Sequence, residues 1–356
     1  MQKNLKTNIS KCSGCGDDMT FHPSKQCLVC PSCNLEKEIT APVGLLKRDL
    51  DLTETFSDHK NSDWLKQNHA MQCPNCGATS ILSNYETSAM CPYCDTSLIA
   101  CKKQFNSLKP DSIVPFKFGK DRAEQLFKEK LKNKWFISGK FKKSIRADEI
   151  IAYYFPAFVF DADCSTIYSG RLYNEETKNK SDGTSETVRN YFNISGQKET
   201  HHANIEIEAS AKLSQFELNS IRPYNLNEAR SYSNEFIYGF SLEQYSNSIL
   251  ETHKQAQKLM EQDIRKEILK CYRHDGVSYL NMTPSFYNQK YSYCMLPIYR
   301  FNFSYKNNKY TNVMNGQTGS LGGDYPKSVG KISLIVILGL LIFFLPIVLF
   351  VLFAIF

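Results

Sequence analysis

The sequence lacks the short motifs that carry nucleotide-dependent and hydrolytic chemistry. None of the patterns G-x-x-x-x-G-K-[ST], G-x-G-x-x-G, H-E-x-x-H or G-x-S-x-G occurs in its 356 residues. These patterns position phosphate-binding amides, metal-binding histidines or a nucleophilic serine, so their absence argues against the enzyme classes that depend on them. We therefore expect a protein without enzymatic activity, and we single out no catalytic residue.

Charged side chains are absent from residues 332–356, where leucine, isoleucine, valine and phenylalanine predominate. At about 1.5 Å per residue, a helix of this length would cross a hydrocarbon core of about 30 Å. The alternative is a buried helix of a large core, but such helices rarely lack a polar side over this length. Lys327 and Lys331 precede the apolar run, and the chain starts without an apolar signal segment. We expect a single-pass tail anchor in the cell membrane, with the N-terminal bulk in the cytoplasm.

Cysteines are abundant by contrast, and most of the 13 fall in C-x-x-C pairs. Without a signal peptide, such pairs indicate metal binding in a reducing compartment and not disulfide bonds. Two segments share one spacing, in which 14 residues separate two pairs. Four thiolates complete the tetrahedral shell of a structural zinc ion, so we expect two zinc ribbons with Zn²⁺ as the cofactor. The predicted ligands are Cys12, Cys15, Cys30 and Cys33 in the first ribbon and Cys73, Cys76, Cys91 and Cys94 in the second.

The first ribbon leaves one ambiguity, because Cys27, Cys30 and Cys33 are spaced by three. We favour Cys30 and Cys33, since C-P-x-C and the 14-residue gap then match the second ribbon, and Cys27 is the spare thiol. Gly16 and Gly77 follow the first pair of each ribbon and supply the open backbone that a metal knuckle needs. The isolated cysteines are expected to be small apolar fillers: Cys101, Cys164, Cys271 and Cys294.

The remaining chain predicts an α+β body with an antiparallel sheet. We place the first ribbon at 8–40, a linker with a helical turn near Trp64 at 41–70, the second ribbon at 71–102, the body at 108–328 and the anchor at 332–356. An amphipathic helix is predicted at 119–136, and its lysine-rich side is either a solvated face or a patch for anionic lipid or a nucleic-acid backbone. A longer helix is predicted at 241–270.

Alternating β-branched and aromatic residues predict the strands of this sheet. They occupy 153–170, 189–197 and 203–211, with further strands on either side of a turn at 307–309. His201 and His202 are expected in a surface turn, and adjacent histidines on a strand would point to opposite faces, so joint metal binding is not expected. Residues 155–161 and 296–302 are similar in pattern, which suggests a duplicated helix-plus-sheet unit.

Together these segments resemble a bacterial family of membrane-anchored proteins described as TFIIB-type zinc ribbon-containing or primosomal helicase-like. The resemblance is carried by the paired ribbons, SIVPF at 112–116, FPAFVFDA at 155–162, LPIYRF at 296–301 and VMNGQTGSLGG at 313–323. Two departures are Ser13, where the family has proline, and the additional Cys27. The resemblance implies zinc ligands at the ribbon cysteines and no catalytic residues. Helicase activity is not expected, because Gly139-Lys140 is not part of a phosphate-binding loop.

The resemblance also implies an envelope-stress setting. Its partners would be a second membrane protein, a virion-core or SPFH-like protein, and phage-shock protein A. We therefore expect a membrane-tethered adaptor, with membrane lipid and protein partners. A membrane-localised nucleic-acid-binding protein is the alternative, and an enzyme with an unrecognised site is a third. The net charge of +7 does not separate lipid from nucleic acid, but aromatic residues do not interleave with the basic run as base stacking requires.

Overall fold

A computed structural model describes residues 10–50, 64, 68–83, 89–93, 96–100, 108–132, 134, 137, 150–179, 185–210, 212–213, 215–305 and 308–355. As the sequence predicts, the described chain is a mixed α+β structure, with one large sheet, one small sheet and few helices. The strands are β1 (Thr20–His22), β2 (Cys27–Val29), β3 (Glu36–Glu38), β4 (Arg48–Asp49), β5 (Asn68–Gln72), β6 (Thr79–Ser83), β7 (Ile99–Ala100), β8 (Ser112–Ile113), β9 (Ile150–Asn179), β10 (Ser185–Glu208), β11 (Arg230–Ser231), β12 (Ser241–Glu243), β13 (Gly276–Tyr305), β14 (Asn308–Asn315) and β15 (Leu321–Gly323). The helices are α1 (Lys120–Lys132), α2 (Gln215–Ile221), α3 (Ile249–Lys270) and α4 (Val329–Ile355).

Strands β9 and β13, each of 30 residues, form the antiparallel centre of the large sheet. The start of β9, at 152–160, and the last part of β13, at 291–301, are buried on both faces, as expected for strands that are covered on both sides. Tyr154 and Phe158 enter one hydrophobic core, whereas Tyr153 and Phe155 enter a second core on the opposite face. The two cores therefore lie on either side of one pair of strands.

The neighbours of these two strands are arranged reciprocally. The short strand β8 pairs in parallel with β13, and the short strand β12 pairs in parallel with β9. The return strands β10 and β14 pair with β9 and β13 respectively. Phe155 pairs with Leu296 in the antiparallel ladder. The two similar segments, 155–161 and 296–302, therefore start at paired residues and run in opposite directions.

Helix α1 packs on the sheet through Ala123, Phe127 and Leu131, which are fully buried. The ring of Phe127 stacks on that of Phe301 with the centroids 4.4 Å apart. The observed helix lies within the predicted range 119–136. Its spacing of apolar residues at i, i+4 and i+8 explains why this face is buried.

Helix α3 begins later than the sequence predicts. The prediction started at Ser241, but Ser241–Glu243 is strand β12, and the helix starts after Ser248. Ser248 and Glu251 form a capping box, in which the serine hydroxyl accepts from the Glu251 amide and the Glu251 carboxylate accepts from the Ser248 amide. This pair of hydrogen bonds satisfies two helix-end donors and fixes the start of the helix.

The predicted turn at His201 and His202 is wrong, because both residues lie inside the continuous strand β10. The register shifts between His202 and Ile205, and Asn204 has a φ of 60°. A bulge of this kind absorbs extra residues without ending the strand. As expected for neighbours on a strand, the two side chains point to opposite faces. His201 is exposed and pairs with Asp163, whereas His202 is only 7% exposed.

Part of the predicted linker, 41–70, belongs to the body. Strand β4 pairs with β13, and β5 already begins at Asn68. Lys47 and Arg48 form ion pairs with Asp161 and Asp111, of which Asp111 is buried. Because a buried carboxylate needs a charged or hydrogen-bonding partner, these pairs hold the segment against the sheet. Trp64, at the predicted helical turn, is also buried, and its indole Nε1 lies 3.4 Å from the Tyr232 hydroxyl oxygen.

The turn N-G-Q-T-G at 315–319 connects three parts of the body. The Asn315 side chain donates to the Ile221 carbonyl at 2.9 Å and accepts from the amides of Gln317 and Thr318. The Gly316 amide donates to the Pro297 carbonyl at 2.9 Å. A Cβ atom on Gly316 would lie 2.4 Å from a ring carbon of Phe116, so only glycine fits there.

Helix α4 runs from Val329 to Ile355, and large apolar side chains between Ile332 and Phe344 are exposed. Within the described part of the chain, no helix is long and apolar enough to cross a membrane. Lys327, just before α4, forms an isolated antiparallel bridge with Ile137.

Gly316→Ala should destabilise the body by about 1–3 kcal/mol, because the new methyl group overlaps the Phe116 ring. Gly119→Ala is the matched control, since no atom lies within 4 Å of its added Cβ. Denaturant unfolding of the detergent-solubilised chain measures both. Equal stability of the two variants would contradict the close packing at Gly316.

Candidate metal centre

The first ribbon brings four thiols together at the ends of its short strands. The sulfur atoms of Cys12, Cys15, Cys30 and Cys33 all lie within 4.8 Å of one another. Cys12 Sγ lies 3.3 Å from Cys33 Sγ, and Cys15 Sγ lies 3.4 Å from Cys30 Sγ. A disulfide would need about 2.05 Å, whereas thiolates about 2.3 Å from one tetrahedral ion are about 3.8 Å apart. The cluster could therefore bind a metal ion.

In the second ribbon, Cys73, Cys76 and Cys91 form an equivalent cluster. Their sulfur atoms also lie within 4.8 Å of one another, and Cys76 Sγ is 3.5 Å from Cys91 Sγ. Cys94, the predicted fourth ligand, lies outside the described residues. This second cluster could likewise bind a metal ion.

One backbone hydrogen bond recurs at the first cysteine of every pair. The amide of each of these cysteines donates to the carbonyl five residues later, over 2.8–2.9 Å: Cys12 to Asp17, Cys30 to Leu35, Cys73 to Ala78 and Cys91 to Thr96. Gly16 and Gly77 adopt positive φ, as the sequence predicts. Asn34 does the same at the second pair of the first ribbon, because asparagine tolerates this conformation. The turn that begins at Cys91 thus has the same hydrogen bond as the other three.

The backbone amides of these turns point at the thiols, and in the first turn they favour the ionised form of Cys12. Gly14 N–H points at Cys12 Sγ at 3.4 Å, and Cys76 N–H points at Cys73 Sγ at 3.5 Å. Amide donation from Cys15, followed by that from Gly14, lowers the pKa of Cys12 to about 6. A thiolate is the form that binds metals, so the turn prepares this ligand.

The other cysteines that the structure describes lie apart from both clusters. Cys27 is buried on β2 with its sulfur 3.9 Å from a carboxylate oxygen of Glu36, outside the four-thiol group. Cys164 and Cys294 are buried, in agreement with the predicted filler role. Cys271 is exposed at the C-terminal end of α3, which contradicts that role, and Cys101 lies outside the described residues.

The first ribbon is joined to the body mainly through apolar contacts. Phe21 on β1 packs edge-on against Phe236 at 5.4 Å and Phe240 at 6.2 Å between ring centroids. The Gln26 side chain also donates to the Phe116 carbonyl at 2.6 Å. Through these contacts the first ribbon shares the hydrophobic core of the body.

The second ribbon is joined to the body by the pairing of β6 with β12 and by a buried polar group. The Tyr93 hydroxyl donates to one carboxylate oxygen of Glu243 on β12, and Ser210 donates to the other at 2.5 Å. The Arg300 guanidinium lies over the Tyr93 ring at 4.9 Å. Burial raises the pKa of Glu243 to about 7, against the hydrogen bonds from Ser210 and Tyr93 and the nearby charges of Arg300 and Lys212.

Sequence reasoning missed this junction, although Tyr93 carried a signal. The residue before the last cysteine is Ser32 in the first ribbon and Asn75 in the preceding pair, whereas a tyrosine stands there in C-P-Y-C. A large side chain at the tip of a metal turn indicates a contact outside the ribbon. Its partner Glu243 is 150 residues away, so the pattern did not identify it.

The chain is similar to YdjG of Bacillus subtilis (strain 168), a protein described as uncharacterized. The two are 24% identical over 326 residues, which cover 91% of each chain. No protein-family model matches the chain, and no solved structure matches it. The similarity thus spans nearly the whole of both proteins but brings no function with it.

Metal analysis should find about two zinc ions per purified chain, one for each ribbon. Cys30→Ser removes one of four clustered thiols and should lower the content to about one, because three ligands hold zinc less tightly. Cys27→Ser is the matched control and should leave the content unchanged. Loss of zinc from Cys27→Ser with retention in Cys30→Ser would overturn the ligand assignment.

Glu243 should make stability depend on pH. Its pKa is raised from 4.5 to about 7 in the folded chain, so folding favours the protonated carboxyl. Its stabilising contribution is complete below the unfolded pKa and is lost as pH rises through about 7. The free energy of unfolding should fall by about 1 kcal/mol more between about pH 6 and pH 8 than in Glu243→Gln.

Denaturant unfolding at several pH values measures this difference. Glu228→Gln is the control, because the hydrogen bond with Lys117 lowers the pKa of Glu228 and keeps it ionised throughout this range. Parallel pH profiles for the wild type and Glu243→Gln would show that the buried carboxyl does not ionise as described.

Proposed function

We propose that the chain is a membrane-tethered adaptor that holds protein partners at a membrane. The observation that supports this most is the row of exposed apolar side chains on α4. Leu341, Ile342 and Phe343 are 56%, 74% and 66% exposed. Apolar surface costs about 25 cal/mol per Å² in water, and a large exposed patch usually marks an interaction site.

A bilayer is the partner that suits this helix best. The sequence supports this choice, because the uncharged residues 332–356 would form a helix of about 37 Å at about 1.5 Å per residue, more than a hydrocarbon core of about 30 Å. After Lys331 the sequence carries no charge, so no side of the helix requires water. A protein groove would cover one face only, whereas lipid would cover all faces. In this proposal α4 is a single-pass anchor with the body on the cytoplasmic side.

The two thiol clusters support binding and not catalysis. Four cysteine ligands would leave a zinc ion no open position for water or substrate, so the metal would hold the ribbon folded. Each ribbon also exposes apolar side chains that a partner could cover. Leu35 of the first ribbon is 40% exposed, and Met90 and Ile99 of the second are 50% and 55% exposed.

The family resemblance extends this proposal to particular partners. A second membrane protein, a virion-core or SPFH-like protein and phage-shock protein A would meet on the ribbons during envelope stress. The similarity to YdjG is compatible with a shared architecture but adds no partner.

One observation favours nucleic-acid binding as a second candidate. On the open face of β9 and β10, the Arg171 guanidinium lies 4.7 Å from the Tyr191 ring, and that of Arg189 lies 4.8 Å from the Tyr173 ring. Arginine and tyrosine together can contact phosphates and stack on bases. Arg189 is also paired with Glu175 at 2.9 Å, which reduces the positive charge of the surface. Adaptor function is therefore the first proposal, and an affinity for single strands that falls steeply with salt would favour the second.

Charges placed in α4 should release the chain from membranes. Ile337→Arg with Leu341→Arg adds about 2.5–3.5 kcal/mol per residue to the cost of insertion at the helix centre. The wild type should sediment with membranes after alkaline extraction, and this variant should not. Ile167→Arg, at another exposed apolar position on β9, is the control. A wild-type chain that washes off the membrane would refute the tether.

Cross-linking mass spectrometry on membranes from stressed cells tests partner binding by the same chain. Met90→Glu with Ile99→Glu should abolish cross-links between the second ribbon and a partner while the zinc content stays unchanged. Ile167→Glu should leave those cross-links intact. Unchanged cross-links in the ribbon variant would argue against this surface as the binding site.

A further inference from the structure

The C-terminal end of α1 lies beside the start of α4. Lys134 Nζ is 4.0 Å from the centre of the Tyr325 ring, and Ile137 forms a bridge with Lys327. Phe127 of α1 also approaches Tyr325, with 6.5 Å between ring centroids. The chain therefore enters α4 next to the last turn of α1.

Three positively charged side chains lie at this junction. Lys130, Lys134 and Lys327 are exposed, and we call these three residues the junction patch. Among the described residues, none of the three has a carboxylate within ion-pair distance. Burial and the charge of Lys130 both lower the pKa of Lys134, which indicates that like charges are held close together.

Two other basic residues of α1 are paired. Lys128 forms an ion pair with Glu124, and Arg122 lies 3.1 Å from Glu129. Lys120 at the start of α1 is exposed and, like Lys130, has no ion-pair partner among the described residues. The junction is therefore distinguished by the position of Lys130 beside Lys134 and Lys327, and not by the amount of charge at one end of the helix.

We infer that the junction patch binds the headgroups of anionic phospholipids. The inference rests on the proposed function, because it requires α4 to lie in a bilayer. Once α4 is inserted, the patch lies at the depth of the headgroups, where lysine ammonium groups meet lipid phosphates. Tyr325 lies four residues before α4, the interfacial depth that tyrosine prefers. Lipid is favoured over a nucleic-acid backbone because the apolar helix leaves the body at this same point.

The contact would also orient the body. A single spanning helix leaves the attached domain free to rotate and tilt about its connection. Lys130 of α1 and Lys134 just after it provide a second point of attachment beside the first, so α1 would lie along the membrane surface. Anionic lipid would then fix which sides of the ribbons face the cytoplasm.

Lysine footprinting of the full chain in nanodiscs tests this inference. Discs contain phosphatidylcholine alone or with phosphatidylglycerol, and acylation of each lysine is quantified by mass spectrometry. The three junction lysines should react about fivefold more slowly in the anionic discs, and added salt should restore their reactivity. Lys254 and Lys258, exposed on α3, serve as internal controls and should react equally in both discs.

Paired variants separate the patch from general charge. Lys130→Gln with Lys327→Gln should reduce the protection of Lys134, whereas Lys254→Gln with Lys258→Gln should not. Equal acylation in both discs would overturn the inference and leave the tether intact. Failure of the wild type to enter discs would overturn both. Protection by a single-stranded oligonucleotide in phosphatidylcholine discs would assign the patch to nucleic acid instead.

Discussion

The pairing of β9 with β13 is the constraint on which the rest of the body depends. Within the described residues, β10 and β12 pair with β9, and β4, β8 and β14 pair with β13. Successive side chains of both strands enter different cores, so that Tyr154 lies in one core and Phe155 in the other. A slip of one residue would exchange these two sets, and the buried side chains therefore fix the register strongly.

The reciprocal short strands explain how two similar units share one sheet. Ser112 of β8 lies opposite Cys294 of β13, and Ser241 of β12 lies opposite Tyr153 of β9. The number of residues along the chain from Tyr153 to Cys294 equals that from Phe155 to Leu296. Phe155 and Leu296 are the residues at which the two similar segments begin. Each unit thus completes the sheet of the other, as a duplicated unit related by a twofold rotation would. Neither unit alone could supply pairing strands for both edges of its long strand.

The cysteine clusters could be predicted because the chemistry of a metal turn is local. Two residues between cysteines, and a positive φ after them, determine the turn whatever surrounds it. The C-P-x-C pattern and the 14-residue gap were enough to exclude Cys27. Helix α1 was predicted for the same reason, since Ala123, Phe127 and Leu131 repeat within a few residues. The sequence could not reveal that Ser241–Glu243 is a strand, because its partners β6 and β9 are distant in the chain. It also failed at His201 and His202, where strand β10 continues and a bulge follows before Ile205.

Both ribbons are joined to the body by more than one contact. In the first ribbon, Phe21 packs on Phe236 and its amide donates to the Tyr238 carbonyl at 3.1 Å, and Gln26 donates to the Phe116 carbonyl. In the second ribbon, β6 pairs with β12 in the large sheet, and Tyr93, between Cys91 and Cys94 in the sequence, donates to the buried Glu243 of β12. If that metal turn opened, Glu243 would keep its burial but lose a hydrogen-bond donor, and an unsatisfied buried group costs about 1–3 kcal/mol. Metal binding in the second ribbon is therefore coupled to the sheet at β12, beside β9.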